Sequence, residues 1–228
     1  MIIEKSEIAE KLKQLKAIGS PKMADKPSGV LLKDNSLKAN NLRIALTVPL
    51  SVHTDEAFVI PINAIALIES LPNGEIEIKG NDKTVTVSCG KIKSKFPTFP
   101  VADFTEPKEL TEKPTLAFQL SWGDIADGIE KIMYVCPADP AKPVLSGIYF
   151  DGNGKHLNLV ACDGVRIAIS VVSTTQKVNV VVPRDAIKTL LAVGDTSKDI
   201  KFYTEDKRII AEVGEYTIYA LLNSDSFP

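Results

Sequence analysis

The most informative string in the sequence is Leu159-Val160-Ala161-Cys162-Asp163-Gly164-Val165-Arg166-Ile167-Ala168-Ile169. Two apolar runs flank Asp163-Gly164, and glycine readily adopts the positive φ that a tight turn between strands requires. The stretch by itself therefore predicts a β-hairpin. Leu145-Ser146-Gly147-Ile148 precedes it and the apolar run Val180-Val181-Val182-Pro183 follows it, so the hairpin belongs to a larger set of strands.

The landmarks around this hairpin occur a second time, in the same order, in the first half of the chain. The separation between matching landmarks drifts only from 116 to 128 residues. A fixed order at nearly constant spacing indicates an internal repeat. The matched pairs are Ile8-Ala9 with Ile125-Ala126, Lys26–Val30 with Lys142–Ile148, Arg43-Ile44-Ala45 with Arg166-Ile167-Ala168, Phe58–Pro61 with Val180–Pro183, Ala64-Ile65 with Ala186-Ile187, and Phe99-Pro100 with Phe227-Pro228.

The repeat predicts two domains, residues 1–107 and 108–228, joined near residues 105–114, a stretch rich in Glu, Lys and Pro. In each copy an amphipathic helix is followed by strands, a short helix after a proline, and further strands. The predicted fold class is α+β, with two helices packed on antiparallel sheet in each of two similar domains. The helices are expected at residues 6–17, 64–71 and 121–135 and after Pro183.

Composition narrows the class of protein. The 228 residues are 44% hydrophobic and 25% charged, which are globular proportions. Lys and Arg number 27 against 29 Asp and Glu, so the net charge of −2 excludes a uniformly basic surface but leaves room for local basic patches. The amino terminus lacks the order of a signal peptide, and no apolar run has the length of a membrane helix. We therefore expect a cytoplasmic protein.

The sequence carries no enzyme signature. His53 and His156 each stand without a second ligand at metal-binding spacing, and the three cysteines are far apart with no C-x-x-C motif. Cys162 is expected to be a structural residue of the hairpin, and Trp122 an anchor of the core. No glycine-rich phosphate loop opens a helix. We therefore predict no catalytic residue, no metal and no cofactor.

The order of these elements resembles the middle domain of the bacterial DNA polymerase III beta subunit, the sliding clamp. In that family an Ala-Thr-Asp-Gly-His-Arg-Leu-Ala string and a Val-Pro-x-x-x-Leu helix start occupy the same relative places. Residues 108–228 match well, whereas residues 1–107 match more loosely, mainly through the first helix, residues 58–71 and Ser94–Pro100. The resemblance implies a DNA-clamp fold and a ring of six such domains around duplex DNA, which tethers a polymerase without catalysing a reaction.

This sequence differs from the family in its number of domains. Family clamps have three domains per chain and close as dimers, whereas this sequence stops at Pro228, before the third domain. Two alternatives are open: a fragment of a longer clamp, or a two-domain clamp that needs three copies to complete six domains. The implied partners are duplex DNA without sequence preference, a DNA polymerase and a clamp loader bound through peptide motifs, and further copies of the chain.

The family's partner-peptide pocket maps onto one wall of the second domain. Cys162 stands where the family usually has Thr, and Val165 where it usually has His. The implied wall is apolar enough to hold the hydrophobic anchors of a peptide, although its polar contacts differ. Its residues are Leu145, Cys162, Gly164, Val165, Arg166, Ile167 and Pro228.

The implied DNA-facing residues form a thin basic lining. They are Lys5, Lys13, Lys16, Lys26, Lys131, Lys142, Arg184 and Lys188. A clamp needs only weak phosphate contacts, because ring closure provides retention. The sparse basic residues and the net charge also favour an alternative of another class: a clamp-fold protein-interaction module, or a fragment that does not encircle DNA by itself.

Overall fold

The chain divides into two compact units, Met1–Lys108 and Glu109–Pro228. A computed structural model describes residues 1–19, 28–106, 115–139, 142–205, 207–222 and 227. None of the helices in these ranges is both long and apolar enough to cross a membrane. Because the chain forms two compact units, each is described on its own.

The first unit alternates helices with groups of short strands. Its strands follow the orders β5-β2-β3-β4 and β1-β6-β7-β8, and every neighbouring pair within these orders is antiparallel. The elements are β1 (Ile2–Glu4), α1 (Lys5–Gly19), β2 (Gly29–Lys33), β3 (Ser36–Asn40), β4 (Ile44–Pro49), β5 (Phe58–Pro61), α2 (Ile62–Ser70), β6 (Glu75–Gly80), β7 (Thr84–Cys89), β8 (Ile92–Pro97) and a short 3₁₀ helix, Val101–Asp103.

The second unit repeats this order element by element. Its strands follow the orders β13-β10-β11-β12 and β9-β14-β15-β16, the same arrangement as in the first unit. The elements are β9 (Thr115–Ser121), α3 (Trp122–Ile132), β10 (Gly147–Asn153), β11 (His156–Cys162), β12 (Ile167–Ser173), β13 (Lys177–Pro183), α4 (Arg184–Val193), β14 (Asp199–Glu205), β15 (Arg208–Val213) and β16 (Tyr216–Leu221). The predicted α+β class with tandem similar domains is confirmed.

The helices bury the apolar stripes that the sequence predicts. In α1 the side chains of Ile8, Leu12 and Leu15 are fully buried, and α3 buries the corresponding stripe of Ile125, Ile129 and Ile132. Trp122 at the start of α3 is fully buried, as expected of a core anchor. Apolar burial of this kind is the main force that holds helix and sheet together.

The strand registers correct one of the sequence matches. Ala45 pairs with Asn40, and Ile167 pairs with Cys162, at the same place in the two sheets. Ala45 is therefore the structural equivalent of Ile167, so the match of Arg43-Ile44-Ala45 with Arg166-Ile167-Ala168 is wrong by one residue. Because side chains alternate across a strand, this shift decides which side chains face away from the helices.

Candidate functional site

The hairpin turn at Asp163-Gly164 is held by its own aspartate. The Asp163 carboxylate accepts hydrogen bonds from the backbone N–H groups of Val165 (2.9 Å) and Arg166 (2.8 Å), and the Arg166 guanidinium donates to it at 3.0 and 2.9 Å. The backbone bonds from Arg166 and Val165, with the guanidinium, lower the pKa of Asp163 to about 2. Gly164 adopts φ +93°, which glycine tolerates best. The predicted turn is confirmed and has a defined geometry.

This turn presents an apolar surface to solvent. Val165 is 92% exposed and Ile167 is 66% exposed, although both are large aliphatic side chains. Leu145 borders the turn, since its Cδ1 lies 3.9 Å from the point where a Cβ on Gly164 would stand. The structure thus places Leu145, Gly164, Val165 and Ile167 around one turn.

Cys162 lies beneath the turn as a structural thiol. It is 9% exposed, and its Sγ accepts a hydrogen bond from the Gly164 N–H at 3.3 Å. The side chain contributes apolar volume beside the turn. Arg166 points its guanidinium at Asp163, so the polar group of the predicted wall already has a partner inside the turn.

The apolar surface continues along β12, beyond the residues that the sequence singled out. Ile169 is 59% exposed and Val171 is 63% exposed, on the same face of the strand as Ile167. Helix α3 covers the opposite face of β12. A Cβ added to Gly128 of α3 would lie 3.0 Å from Ser170 Oγ and 3.5 Å from Val172 Cγ2 of this strand. The alternation of branched aliphatic residues at 167, 169 and 171 is the signal that could have revealed this row.

One aromatic pair lies on the same outward face of the second unit. Tyr149 on β10 stands next to Val160, and Phe227 stacks on the Tyr149 ring with centroids 5.0 Å apart. Burial raises the pKa of the Tyr149 hydroxyl, with a further contribution from Asp151. The stack brings a residue from the end of the sequence to the sheet, a contact that no motif predicted.

The equivalent face of the first unit is closed by the segment that follows β8. Glu106 accepts hydrogen bonds from Lys33 (2.6 Å) and from Lys38 (3.1 Å), and Asn40 donates to the Thr105 carbonyl at 2.8 Å. Burial would raise the pKa of Glu106, but the two lysines outweigh it and hold the pKa below its ordinary value. Thr105 and Glu106, which the sequence analysis assigned to the linker, are therefore fixed to the first unit.

The predicted basic residues of α1 are partly neutralised by acidic neighbours. Lys16 pairs with Glu69 at 2.9 Å, and Lys13 lies 3.8 Å from Glu10. A surface pocket at this end of α1 is lined by Lys13, Lys16, Ala17 and Glu69. Lys5 is the first residue of α1 and is partly exposed.

In the second unit the predicted basic residues that the structure describes have different neighbours. Lys131 pairs with Asp127 on α3, and the Arg184 Nε donates to the Cys136 carbonyl at 3.1 Å. Lys188 is exposed on α4. The Nζ of Lys142 lies beside the apolar turn, 3.9 Å from the point where a Cβ on Gly164 would stand. Lys26 and Pro228 lie outside the described residues.

The helices as a group carry no net charge. Helix α1 has four lysines and two glutamates, α2 has one glutamate, α3 has one lysine and three acidic residues, and α4 has two basic residues and one acidic residue. Seven basic side chains thus stand against seven acidic ones on α1 to α4. Any contact that these helices make with phosphate groups would depend on the placement of single residues.

Comparison with known proteins shows which family the chain resembles. Residues 119–228 match the family model described as DNA polymerase III beta subunit, central domain. The beta sliding clamp of Escherichia coli strain K12 is 25% identical over 192 residues, which are 82% of this chain and 51% of that protein. The clamp of Proteus mirabilis is 24% identical over 246 positions, covering 100% of this chain and 65% of its own length. The chain spans about half to two thirds of the length of these relatives.

Solved structures show the same fold. A crystal structure of the DNA polymerase III subunit beta from Pseudomonas aeruginosa has a TM-score of 0.88 at 21% identity, covering 100% of this chain and 66% of that one. The beta subunit from Thermotoga maritima has a TM-score of 0.85 at 19% identity, covering 100% of this chain and 65% of that one. The resemblance read from the sequence is thereby confirmed: the chain is similar in sequence and fold to the bacterial DNA polymerase III beta subunit, the sliding clamp, and residues 119–228 match the model of its central domain.

Proposed function

We propose that this protein is a non-catalytic, cytoplasmic processivity factor of the sliding-clamp type. It encircles duplex DNA as a ring of several copies and tethers a DNA polymerase, and a clamp loader, through an apolar groove on the second unit. The two compact units serve as two clamp-type domains of that ring. The observation that carries the proposal is the exposed aliphatic surface at the Asp163-Gly164 turn, in a chain with the clamp fold.

The groove is suited to an apolar peptide anchor. Val165 and Ile167 are exposed at 92% and 66%, and covering such side chains releases roughly 25 cal/mol per Å² of apolar surface. The hydrogen bonds of Asp163 keep the turn in one conformation, so little ordering entropy is lost on binding. Arg166 is engaged by Asp163, so specificity would come from apolar shape more than from new ion pairs. Leu145, Cys162 and Gly164 form the floor, and Pro228 remains a proposed member.

The DNA contact follows from the charge of the helices. With equal numbers of basic and acidic residues on α1 to α4, static electrostatic binding would be weak and sensitive to salt. Weak contacts permit sliding, and retention then depends on ring closure. Lys5, Lys13, Lys16, Lys26, Lys131, Arg184 and Lys188 are the proposed phosphate contacts, whereas Lys142 is placed to contact the peptide as well.

A topological assay tests this proposal. The protein is assembled on nicked circular plasmid and on the same plasmid after linearisation, with a clamp loader or at high protein concentration. We expect retention on the circle at moderate salt and rapid loss from the linear DNA. Equal loss from both DNA forms, in a protein that self-associates, would overturn encirclement.

The groove is tested separately with polymerase-derived peptides that carry adjacent apolar residues. Val165→Asp is expected to lower peptide affinity at least tenfold, since it places a charge in an apolar contact. Val171→Asp, on strand β12 next to the turn but outside the proposed groove, is the matched control and should keep the affinity. Unchanged affinity in the Val165 variant would exclude this groove.

A protein-interaction module on the clamp fold is the second candidate. It is favoured by the ion pairs of Lys13, Lys16 and Lys131, which lower the net positive charge available to DNA. This candidate predicts peptide binding that depends on Val165 but no preference for circular DNA. A non-autonomous clamp fragment would give the same result with a strictly monomeric species.

A further inference from the structure

Helix α4 begins with a residue that holds both ends of the segment between α3 and β10, residues 133–146. The backbone N–H of Arg184 donates to the Ser146 carbonyl at 3.0 Å, and the guanidinium Nε of the same residue donates to the Cys136 carbonyl at 3.1 Å. Ser146 is the last residue of this segment, and Cys136 lies near its start. Arg184 therefore ties the segment at two points to the first turn of α4.

This segment carries one side of the proposed groove. Leu145 directly precedes Ser146, and its Cδ1 lies 3.9 Å from the point where a Cβ on Gly164 would stand. The Leu145 N–H donates to the Lys142 carbonyl at 3.1 Å, so one turn of the segment contains both residues. The place of this turn beside Gly164 depends on how the segment is held.

Cys136 fills the space beneath the segment. Its side chain is 3% exposed, and its Sγ lies 3.4 Å from the Gly147 carbonyl oxygen and 3.7 Å from the Leu145 carbonyl oxygen. Burial raises the pKa of the thiol to about 11, although Arg184 acts in the opposite direction. The thiol is therefore neutral and shielded while the segment is in place, so its reactivity reports whether the segment has moved.

The equivalent place in the first unit cannot make this tie. Ile62 stands where Arg184 stands, because each is the first helical residue after the proline that ends the preceding strand. An isoleucine side chain has no hydrogen-bond donor. Gly19 approaches the first sheet where Cys136 approaches the second, and a Cβ on Gly19 would lie only 2.6 Å from the Gly29 carbonyl oxygen. The tie therefore belongs to the unit that carries the proposed groove.

We propose that Arg184 is a positioning residue of the peptide groove: its guanidinium fixes the segment that places Leu145 beside the Asp163-Gly164 turn. This role deepens the proposed function, on which it rests, by naming a residue that acts on the groove without touching the peptide. The bond uses the Nε hydrogen, so a phosphate contact through the Nη hydrogens is compatible with it.

Two substitutions separate the hydrogen bond from the charge. Arg184→Gln removes the charge but keeps a donor, because the amide nitrogen of glutamine stands as far along the side chain as the Nε of arginine. Arg184→Met has a similar length but neither charge nor donor. With an apolar polymerase-derived peptide, fluorescence anisotropy should show about fivefold weaker binding for Arg184→Met, and binding within about twofold of the original chain for Arg184→Gln.

Lys188→Met is the matched control for charge on the same helix. Lys188 is exposed one turn after Arg184, so its loss removes one positive charge and leaves the segment in place. This variant should keep the peptide affinity of the original chain. Both Arg184 variants lose the same charge, so retention on circular DNA should change equally in the two, unlike peptide affinity.

Thiol labelling measures the position of the segment without a peptide. Mass spectrometry after reaction with iodoacetamide distinguishes Cys136 from Cys89 and Cys162. Arg184→Met should label at Cys136 at least about threefold faster than the original chain, because local opening of the segment exposes the thiol. Arg184→Gln should label at nearly the original rate.

Thermal unfolding verifies that both variants are folded before they are compared. Equal peptide affinities for Arg184→Met and Arg184→Gln overturn the positioning role, as does an unchanged labelling rate of Cys136 in Arg184→Met. Weaker peptide binding by Lys188→Met would assign the effect to charge and also overturn it. An original chain that binds no apolar peptide would instead refute the proposed groove, whereas faster labelling of Cys136 in Arg184→Met would still show that Arg184 holds the segment.

Discussion

The outward faces of the two equivalent sheets have opposite character. In the first unit, Lys33 and Lys38 bind Glu106, and the chain after β8 crosses the sheet. In the second unit, Val160 occupies the position of Lys38, and the neighbouring strand carries Ile167 in place of Ala45. Ala45 is 5% exposed, whereas Ile167 is 66% exposed. The outward face at Ile167 is thus both more apolar and more exposed than the equivalent place in the first unit.

The two units of the repeat agree in the residues of the core and differ in the residues of the outward face. Both units keep the apolar stripe on the long helix and the same strand order, which are the requirements of the core. They diverge on the face that the helices do not cover. An exposed aliphatic face is costly for a protein to maintain unless something binds it, so the second unit is where a partner is expected.

The largest effect is expected from breaking the closure of the first unit. Glu106→Ala removes the carboxylate shared by Lys33 and by Lys38, whose side chain is only 6% exposed. The loss should be about 2 kcal/mol in the free energy of unfolding, measured with urea. Asp151→Ala, at the equivalent of Lys33 in the open second unit, is the control and should cost much less. Equal losses would mean that the ion pairs do not close the first unit.

The same carboxylate gives the closure a pH dependence. Its pKa is lowered from the ordinary 4.5 in the folded protein, so its contribution is fully present above about pH 4.5 and is lost as the pH falls through the folded value. Urea unfolding of the original chain and of Glu106→Gln should differ at pH 7 and converge in acid. A difference that stays constant down to pH 2 would contradict this assignment.

The fold could be predicted from the sequence, but the closure could not. The helical stripes depend on residues near each other in sequence, and the structure confirms them, together with the repeated order of elements; one landmark match is shifted by one residue. Glu106 stands 73 residues from Lys33 and 68 from Lys38, inside a stretch whose composition indicates a linker. Only the folded sheet brings the three charges together. The pocket wall that the resemblance implies includes Ile167 but not Ile169 or Val171, so it does not predict the rest of the exposed row.

The turns at the equivalent hairpin tips provide a smaller test of the comparison. Gly164 has φ +93° and Leu42, in the corresponding turn of the first unit, has φ +73°. A non-glycine residue with positive φ carries roughly 1 kcal/mol of strain. Gly164→Ala should therefore destabilise the protein by about 1 kcal/mol. The nearest side-chain atoms would lie 3.9 Å from the added Cβ, an ordinary contact distance, so the cost comes from the backbone conformation. Leu42→Gly should cost little or stabilise slightly, and a large loss there would show that the Leu42 side chain matters more than its backbone.

The smallest effect concerns the side chain that caps each turn. Asn41 accepts hydrogen bonds from the N–H groups of Arg43 and Ile44, as Asp163 does from Val165 and Arg166, but Asn41 cannot ionise. The amide proton shift of Val165 should therefore titrate with an apparent pKa of about 2, while that of Arg43 stays flat.

Because the pKa of Asp163 is lowered, its stabilising effect on the turn is complete above about pH 3.8 and disappears as the pH falls through about 2. Asp163→Asn should keep the two backbone hydrogen bonds and abolish the titration, which makes the second turn behave like the first. The groove would then keep its peptide affinity across this pH range, since Val165 stays in place. If the asparagine variant instead loses peptide binding at neutral pH, the Asp163 charge, and with it the bond to Arg166, is what holds Val165 in its binding position.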